Sequence, residues 1–245
     1  MAQEKDIRLT DVHAHILPGV DDGARDMQDA LALCRLAWEN GTRAIILTPH
    51  YRSTYKAPPT VLQAAFAALS GALCKELPEM SLYLGNEICF HNDIGEKLKE
   101  GQVLSLCNSR YVLLEFSPTA FRAQITTGIA ECLLAGKVPI IAHAERYAIF
   151  RQDRALAADV IKMGALLQLN ADSIMGRRGF GVKRFCHRLL KAKMVHFVAS
   201  DAHDQAFRTP VLLPCYNRIC KKYGEVYAKR LFRHNPRAII KNTEV

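Results

Sequence analysis

The sequence predicts an α/β protein in which parallel strands form a closed or nearly closed barrel. Short apolar runs of strand length alternate with longer helical patterns, which is the order of consecutive βα units. The runs are apolar at successive positions, as expected for parallel strands that are buried under helices. Periodicity alone leaves an open, doubly wound sheet as the alternative.

The elements follow from these patterns in chain order. Seven strands are predicted: Ile7–Val12, Arg43–Thr48, Ser81–Leu84, Tyr111–Glu115, Val138–Ala142, Ala165–Leu169 and Val195–Ser200. Gly41, Gly136 and Gly164 each follow a helical pattern and are typical C-terminal caps. The predicted helices are Met27–Asn40, Val61–Glu76, Asn92–Glu100, Phe121–Ala135, Arg151–Met163, Gly181–Ala192, Pro210–Tyr223, Glu225–Phe232 and Asn235–Lys241.

Composition places the chain among globular proteins. Of its 245 residues 49% are hydrophobic and 23% charged, which excludes disorder as the main state. No linker-like stretch, low-complexity segment or fixed-period repeat divides the chain, so we predict one domain over residues 1–245.

Targeting signals and cysteine motifs are absent from the sequence. The longest apolar stretches, such as Val195–Ala199, fall far short of the roughly 20 residues that cross a bilayer, so no membrane insertion is expected. The N-terminus has no apolar core of a secretory signal, which predicts a cytoplasmic protein. The eight cysteines form no Cys-x-x-Cys pair, which argues against a zinc ribbon or a thioredoxin-like motif.

The chain is basic, with a formal net charge of +9. Much of the excess lies in the segment Arg177–Lys193 and after it. Such a balance fits a nucleic acid, an acidic membrane surface or an anionic substrate, although solvated helix faces are the simpler explanation. Aromatic residues are not interleaved with these charges as a base-stacking surface requires, so no stable nucleic-acid complex is expected.

Residues of the types that bind metals follow nearly every predicted strand. The carboxyl ends of parallel barrel strands share one face, where active sites are built. The side chains delivered there are His13 and His15, His50, Glu87, Glu115, His143, and Asp201 with His203.

The spacing of these residues predicts a metal site. Residues i and i+2 of an extended segment point to the same side, so His13 and His15 can reach one cation, and Asp201 and His203 can do likewise. Asp22 brings the candidates to nine, enough for two or three ions if a carboxylate bridges. Mixed imidazole and carboxylate donors suit manganese, iron or zinc.

Clustered divalent ions at a barrel mouth predict hydrolysis by a metal-activated water, and phosphate esters fit such a site best. Arg146 and Arg208 follow His143 and His203 closely and are candidates to bind a phosphoryl group. Competing motifs are absent, including Cys-x5-Arg, Gly-x-Ser-x-Gly and the Gly-x4-Gly-Lys-Ser/Thr loop.

At these residues the chain resembles the polymerase-and-histidinol-phosphatase (PHP) superfamily. It is most similar to the bacterial metal-dependent protein-tyrosine phosphatases of capsule and exopolysaccharide systems. The resemblance runs over about residues 8–240 and departs from the family pattern in the stretch Met175–Gly181. The matching segments are Asp11–Gly23, Thr48–His50, Gly85–Glu87, Tyr111–Phe116, Pro139–Tyr147, Gln168–Asn170 and Ala199–His203.

This resemblance implies a distorted (β/α)7 barrel with three divalent ions, usually manganese. It implies one ion on His13, His15 and Asp201, and a second on Asp22, His50 and His203. The third would lie on Glu115 and His143, with Glu87 bridging it to the first. It makes Arg146 and Arg208 phosphate binders, and the substrate a phosphotyrosine on a bacterial tyrosine autokinase that regulates polysaccharide export.

The sequence therefore predicts a manganese-dependent protein-tyrosine phosphatase. Asp201 or His203 is a candidate to assist proton transfer, and the residues do not decide between them. A PHP-type phosphoesterase for a small molecule such as histidinol phosphate, or a nuclease, is the alternative within hydrolases. A basic binding module that keeps metals only for structure is the alternative from another class. Residue patterns leave the oligomeric state open.

Overall fold

A curled sheet of parallel strands forms the centre of the protein. We describe it from a computed structural model, which covers residues 7–245; residues 1–6 of the predicted domain lie outside the described residues. The strands within this range are β1 (Leu9–Ala14), β2 (Thr42–Leu47), β3 (His50–Tyr51), β4 (Ser81–Leu84), β5 (Glu87–Cys89), β6 (Tyr111–Glu115), β7 (Val138–Ile141), β8 (Leu166–Asn170) and β9 (Phe197–Ala199).

These strands close into a distorted seven-stranded barrel. β2 continues into β3, and β4 into β5, after breaks of two residues, so nine segments make seven barrel strands. The parallel order is β1-β2-β4 in one sheet and β3-β5-β6-β7-β8-β9 in the other. The N–H of Asp201 donates to the His13 carbonyl (2.9 Å) and the N–H of His15 to the Ala202 carbonyl (2.8 Å), which joins the last strand to the first. The predicted α/β barrel is confirmed.

The distortion lies between β4 and β6. These strands are not paired, and the 3₁₀ turn Leu106–Asn108 packs against both. A Cβ added at Gly85 would lie 2.9 Å from the Cα of Leu106, so only glycine permits this close approach.

Helices cover the outside of the barrel. They are α1 (Met27–Glu39), α2 (Pro59–Glu76), α3 (Ile94–Lys99), α4 (Arg122–Leu134), α5 (Ala148–Gln152), α6 (Leu156–Lys162), α7 (Ala171–Met175), α8 (Phe180–Lys191), α9 (Leu213–Tyr223), α10 (Glu225–Lys229) and α11 (Asn235–Lys241). The Asp26 carboxylate caps α1 by accepting the N–H of Asp29 (2.9 Å), and the buried face of this helix carries Leu33 and Cys34. No helix within residues 7–245 is long and apolar enough to cross a membrane.

Several sequence-based element predictions differ from the structure. The first strand begins at Leu9 rather than Ile7 and extends to Ala14, so His13 lies within it. The predicted helix Arg151–Met163 is wrong as one element, because Asp153 accepts the N–H groups of Ala155 (3.0 Å) and Leu156 (3.2 Å) and so starts α6 separately. The short elements β3, β5 and α7 were not predicted.

The apolar core supports the mouth of the barrel from below. Alternate strand residues, including Val12, Ile46, Leu113, Ile140 and Phe197, pack together as one buried cluster drawn from five strands. Since successive strand residues point to opposite faces, we place this cluster inside the barrel. The other face of the strands packs under the helices in two larger clusters. The polar residues that follow the strands therefore gather at the carboxyl end.

Candidate metal centre

All nine predicted ligands lie together at the carboxyl end of the barrel, with Glu87 of β5 at the centre. Its Oε1 lies 2.9 Å from Nε2 of His143 and 3.2 Å from Nε2 of His13. Its Oε2 lies 2.8 Å from Nδ1 of His50 and 3.3 Å from Nε2 of His15. The Glu87 side chain is 1% exposed, so one buried carboxylate faces four imidazoles.

The remaining carboxylates surround this centre. Oδ1 of Asp22, on the loop after β1, lies 3.2 Å from Nε2 of His50 and 3.5 Å from Nε2 of His203. Oδ1 of Asp201 lies 3.6 Å from Nε2 of both His13 and His15. A separate contact joins Oε1 of Glu115 to Nε2 of His143 at 3.6 Å.

Three overlapping sets of these donors are compact enough to hold an ion. Within each set the donor atoms lie within 4.8 Å of one another. His15, His50 and Glu87 each lie in two sets, so these side chains connect neighbouring positions. The sets are His15, Asp22, His50 and His203; His13, His15 and Glu87; and His50, Glu87 and Glu115.

Hydrogen bonds fix which nitrogens of two histidines can bind a cation. Oε1 of Gln168 accepts the backbone N–H of His143 (2.7 Å) and lies 3.2 Å from Nδ1 of His13. This amide oxygen can only accept, so Nδ1 of His13 carries a proton. Nδ1 of His15 lies 2.7 Å from Oδ2 of Asp21 and is protonated for the same reason. The two Nε2 atoms then face each other with lone pairs, 3.1 Å apart and buried. This arrangement requires a proton or a cation between them.

His203 follows the same pattern. Its Nδ1 lies 3.0 Å from the backbone carbonyl oxygen of Asp201, so Nε2 is left to accept. Nε2 of His203 and Oε2 of Glu87 are buried, and within the described residues their contacts with Asp22 and His50 lack the geometry of a hydrogen bond. Buried polar atoms without partners are costly, and a divalent cation would satisfy them. The residues present therefore fit a metal of mixed nitrogen and oxygen preference.

Protons and metal ions compete for the same ligand atoms. Burial opposes a charge on His13, but Glu87 and Asp201 outweigh it and raise its pKa to about 9. Burial likewise opposes a charge on His50, where the contacting carboxylates of Asp22 and Glu87 raise the pKa to about 10. Burial and the neighbouring Glu87 raise the pKa of Glu115 to about 7. Without ions, the cluster balances its carboxylates with protons.

Two arginines converge on one carboxylate at the open side of the cluster. Nη2 of Arg146 lies 2.6 Å from Oδ2 of Asp201, and Nη2 of Arg208 lies 2.5 Å from its Oδ1. The arginine side chains are 24% and 28% exposed, whereas that of Asp201 is 1% exposed. His143 (φ 32°) and Asp201 (φ 55°) adopt left-handed backbone conformations, a strain typical of functional sites. The guanidinium groups can thus meet an anion that enters from solvent.

Comparison with known proteins assigns the family. Residues 9–241 match the family model described as capsular polysaccharide synthesis, CpsB/CapC. The chain belongs to the CpsB/CapC family. The resemblance drawn from the sequence motifs is therefore confirmed.

Named relatives of this family member match four fifths or more of its length. It is 32% identical to the tyrosine-protein phosphatase CpsB of Streptococcus agalactiae over 240 residues, which is 96% of this chain and 99% of that protein. It is 36% identical to the tyrosine-protein phosphatase YwqE of Bacillus subtilis over 197 residues, 80% of this chain and 78% of that one.

Solved structures have the same fold as this chain. One comes from work on YwqE of Bacillus subtilis and CpsB of Streptococcus pneumoniae, which are described as metal-dependent tyrosine phosphatases. It superposes with a TM-score of 0.91 at 32% identity and covers 97% of this chain and 96% of that one. A phosphotriesterase homology protein from Escherichia coli matches with a TM-score of 0.63 at 12% identity, over 95% of this chain and 98% of that one, and shares the fold.

Residues that orient the candidate ligands of this CpsB/CapC member were not predicted from the sequence. Asp21 holds His15, as described above. Nε2 of Gln168 donates to Oδ1 of Asn170 (2.8 Å), and Nδ2 of Asn170 donates to Oδ2 of Asp201 (2.8 Å). These amides thereby connect His13 to Asp201. Their signal was the i, i+2 spacing of two amides at the end of β8, which resembles the spacing of His13 and His15.

A third arginine at the mouth was also missed. Nη2 of Arg52 lies 3.0 Å from Oδ2 of Asp22, and its side chain is 31% exposed. Paired backbone hydrogen bonds between Arg52 and Tyr55 (2.8 and 2.9 Å) form the tight turn that holds it there. No motif marks this position, because its role depends on a contact with a residue 30 positions away.

Proposed function

We propose that this chain is a metal-dependent protein-tyrosine phosphatase, with manganese as its metal and iron or zinc as the alternatives. The relatives named above carry this activity in their names, and one is described as metal-dependent. The observation that carries the proposal is the buried set of imidazole and carboxylate donors next to two arginines anchored on Asp201. This pairing suits an anionic ester that requires both cations and guanidinium groups.

Nine residues would hold three ions. We propose His13, His15 and Asp201 for one ion, and Asp22, His50 and His203 for a second. Glu115 and His143 would hold the third, with Glu87 as the bridging carboxylate. Ions at these positions would supply Lewis acidity to water and to the phosphoryl oxygens.

The residues of the chain itself would orient the ester, and their protonation states suit both the leaving group and the ions. Arg146 and Arg208 would bind non-bridging phosphoryl oxygens through their guanidinium forks, and Asp201 would hold both forks in place. The leaving phenolate has a conjugate acid of pKa about 10, so a strong general acid is not required. Burial and the adjacent His15 lower the pKa of His203 to about 4, so its imidazole is neutral near pH 7 and its Nε2 keeps a lone pair for an ion.

A phosphotyrosine protein is the proposed substrate, in particular a bacterial tyrosine kinase that controls capsular or exopolysaccharide synthesis. The description of the family as one of capsular polysaccharide synthesis supports this choice. We also propose a cytoplasmic location for this enzyme.

The test is turnover of a phosphotyrosine peptide by protein purified without chelator, with metal analysis of the same sample. We expect activity that chelator abolishes and manganese restores, and loss of activity in His13→Ala. Equal turnover with and without chelator would refute the metal mechanism. Faster turnover of histidinol phosphate or an oligonucleotide would favour another esterase activity, and salt-sensitive binding without turnover would indicate a binding module.

A further inference from the structure

A small cleft opens beside the two arginines, on the side of Arg208. It has a volume of about 110 Å³. Ser200, which precedes Asp201, lines the cleft, and Arg208 forms a wall shared with the metal centre. Most of the other lining residues are apolar, including Met175, Phe207, Val211 and Pro214. Asp172, Arg177 and Thr209 are its polar members.

The loop that forms one wall is held by its own hydrogen bonds. Oδ1 of Asp204 accepts the N–H groups of Ala206 (2.7 Å) and Phe207 (2.5 Å). The N–H of His203 donates to the carbonyl oxygen of Arg208 (2.8 Å) and closes the loop. Arg208 therefore reaches inward to Asp201 while Phe207, one residue earlier, is held outward at the cleft.

Phe207 is 83% exposed, which is costly for an aromatic ring unless a partner covers it. Its position next to an arginine of the centre distinguishes it from apolar residues scattered over a surface. Met175 also lines the cleft and is only partly buried against the core. The cleft thus gives a location for a substrate preference.

We propose that this cleft receives an apolar side chain of the phosphoprotein, about one to three residues from the phosphotyrosine. This inference rests on the proposed function, because it takes Arg208 as a phosphate binder. Since Arg208 lines both sites, a chain that places its phosphate at the metal centre brings its neighbouring residues to the cleft. The side chain would pack on Phe207 and Met175 and displace water from both.

The experiment compares phosphotyrosine peptides that carry leucine or serine at each position from −3 to +3, with manganese-loaded protein. We expect leucine at one position to raise kcat/KM about fivefold to tenfold over serine, as burial of part of a leucine side chain predicts. Phe207→Ala removes most of that preference, and Phe207→Leu retains it. Phe180→Ala is the matched control, because Phe180 is 78% exposed and does not line the cleft.

Equal rates for all peptides in the wild type, or an unchanged preference in Phe207→Ala, would overturn the inference while the phosphatase activity stands. An equal loss of preference in Phe180→Ala would overturn it too, since the effect would not belong to the cleft. Absence of turnover on every peptide would overturn the proposed function first, and this inference with it.

Discussion

Replacing Asp21 with asparagine tests whether the residues behind the ligands tune the metal centre. The Asp21 carboxylate is buried and accepts three hydrogen bonds, from Nδ1 of His15 (2.7 Å), the N–H of His50 (3.0 Å) and the N–H of Gly23 (3.0 Å). An amide has one oxygen in place of two, so in either orientation its NH2 group meets a donor. The substitution also removes the charge that fixes the tautomer of His15.

The size of the effect follows from these contacts. A hydrogen bond to a charged group stabilises by about 1.5–3 kcal/mol and a neutral one by about 1 kcal/mol. The weakened bond to His15 therefore costs about 0.5–2 kcal/mol of metal binding, which is roughly a twofold to thirtyfold loss of affinity. The upper part of this range overlaps the roughly tenfold to hundredfold losses typical when partners of metal-bound histidines are changed.

Calorimetric titration of metal-free Asp21→Asn with manganese measures this loss directly. The manganese concentration for half-maximal turnover of a phosphotyrosine peptide should rise in parallel, with a smaller change in kcat at saturating metal. Asp29→Asn is the matched control, since Asp29 lies on α1 and makes its ion pair with Arg25 rather than with a residue of the cluster. Wild-type manganese affinity in Asp21→Asn would refute the assignment of Asp21 as an orienting residue.

Two further predictions concern the same loop and the protons of the cluster. A Cβ at Gly23 would lie 1.9 Å from the carbonyl oxygen of His15, so Gly23→Ala should lower the free energy of unfolding, measured in urea, by about 3 kcal/mol and weaken metal binding. Gly181 has open space around it, so Gly181→Ala should do neither. Equal stability of the two variants would contradict this expectation. The pKa values of His13 (about 9) and His50 (about 10) lie above neutrality, so both are protonated near pH 7 without ions. Manganese binding near pH 7 should therefore release roughly two protons, and it should weaken as the pH falls. Calorimetry in buffers of different ionisation heat measures this release, and a binding heat independent of the buffer would exclude it.

Sequence patterns predict elements well where local periodicity and local caps determine them. The strands Ser81–Leu84 and Tyr111–Glu115 and the helix Asn235–Lys241 begin and end where the patterns place them. The two-residue strand β3 and the three-residue strand β5 escape such prediction. They exist because the backbone of His50 pairs with Glu87, and that of Glu87 with Leu113, on neighbouring strands of the barrel. Pairing between segments that are distant in the chain leaves no local period in the sequence.

The sequence by itself determined that metal-binding side chains follow almost every strand, since a parallel barrel must bring strand ends to one face. Their roles as ligands stay a prediction for metal analysis. Only the tertiary structure decided that Glu87 lies among four histidines, that Asp21 and Gln168 set their tautomers, and that Phe207 stands beside Arg208. The reason is physical. The position of a proton or an ion depends on the atoms within about 3–4 Å of it, and those atoms come from segments far apart in the chain.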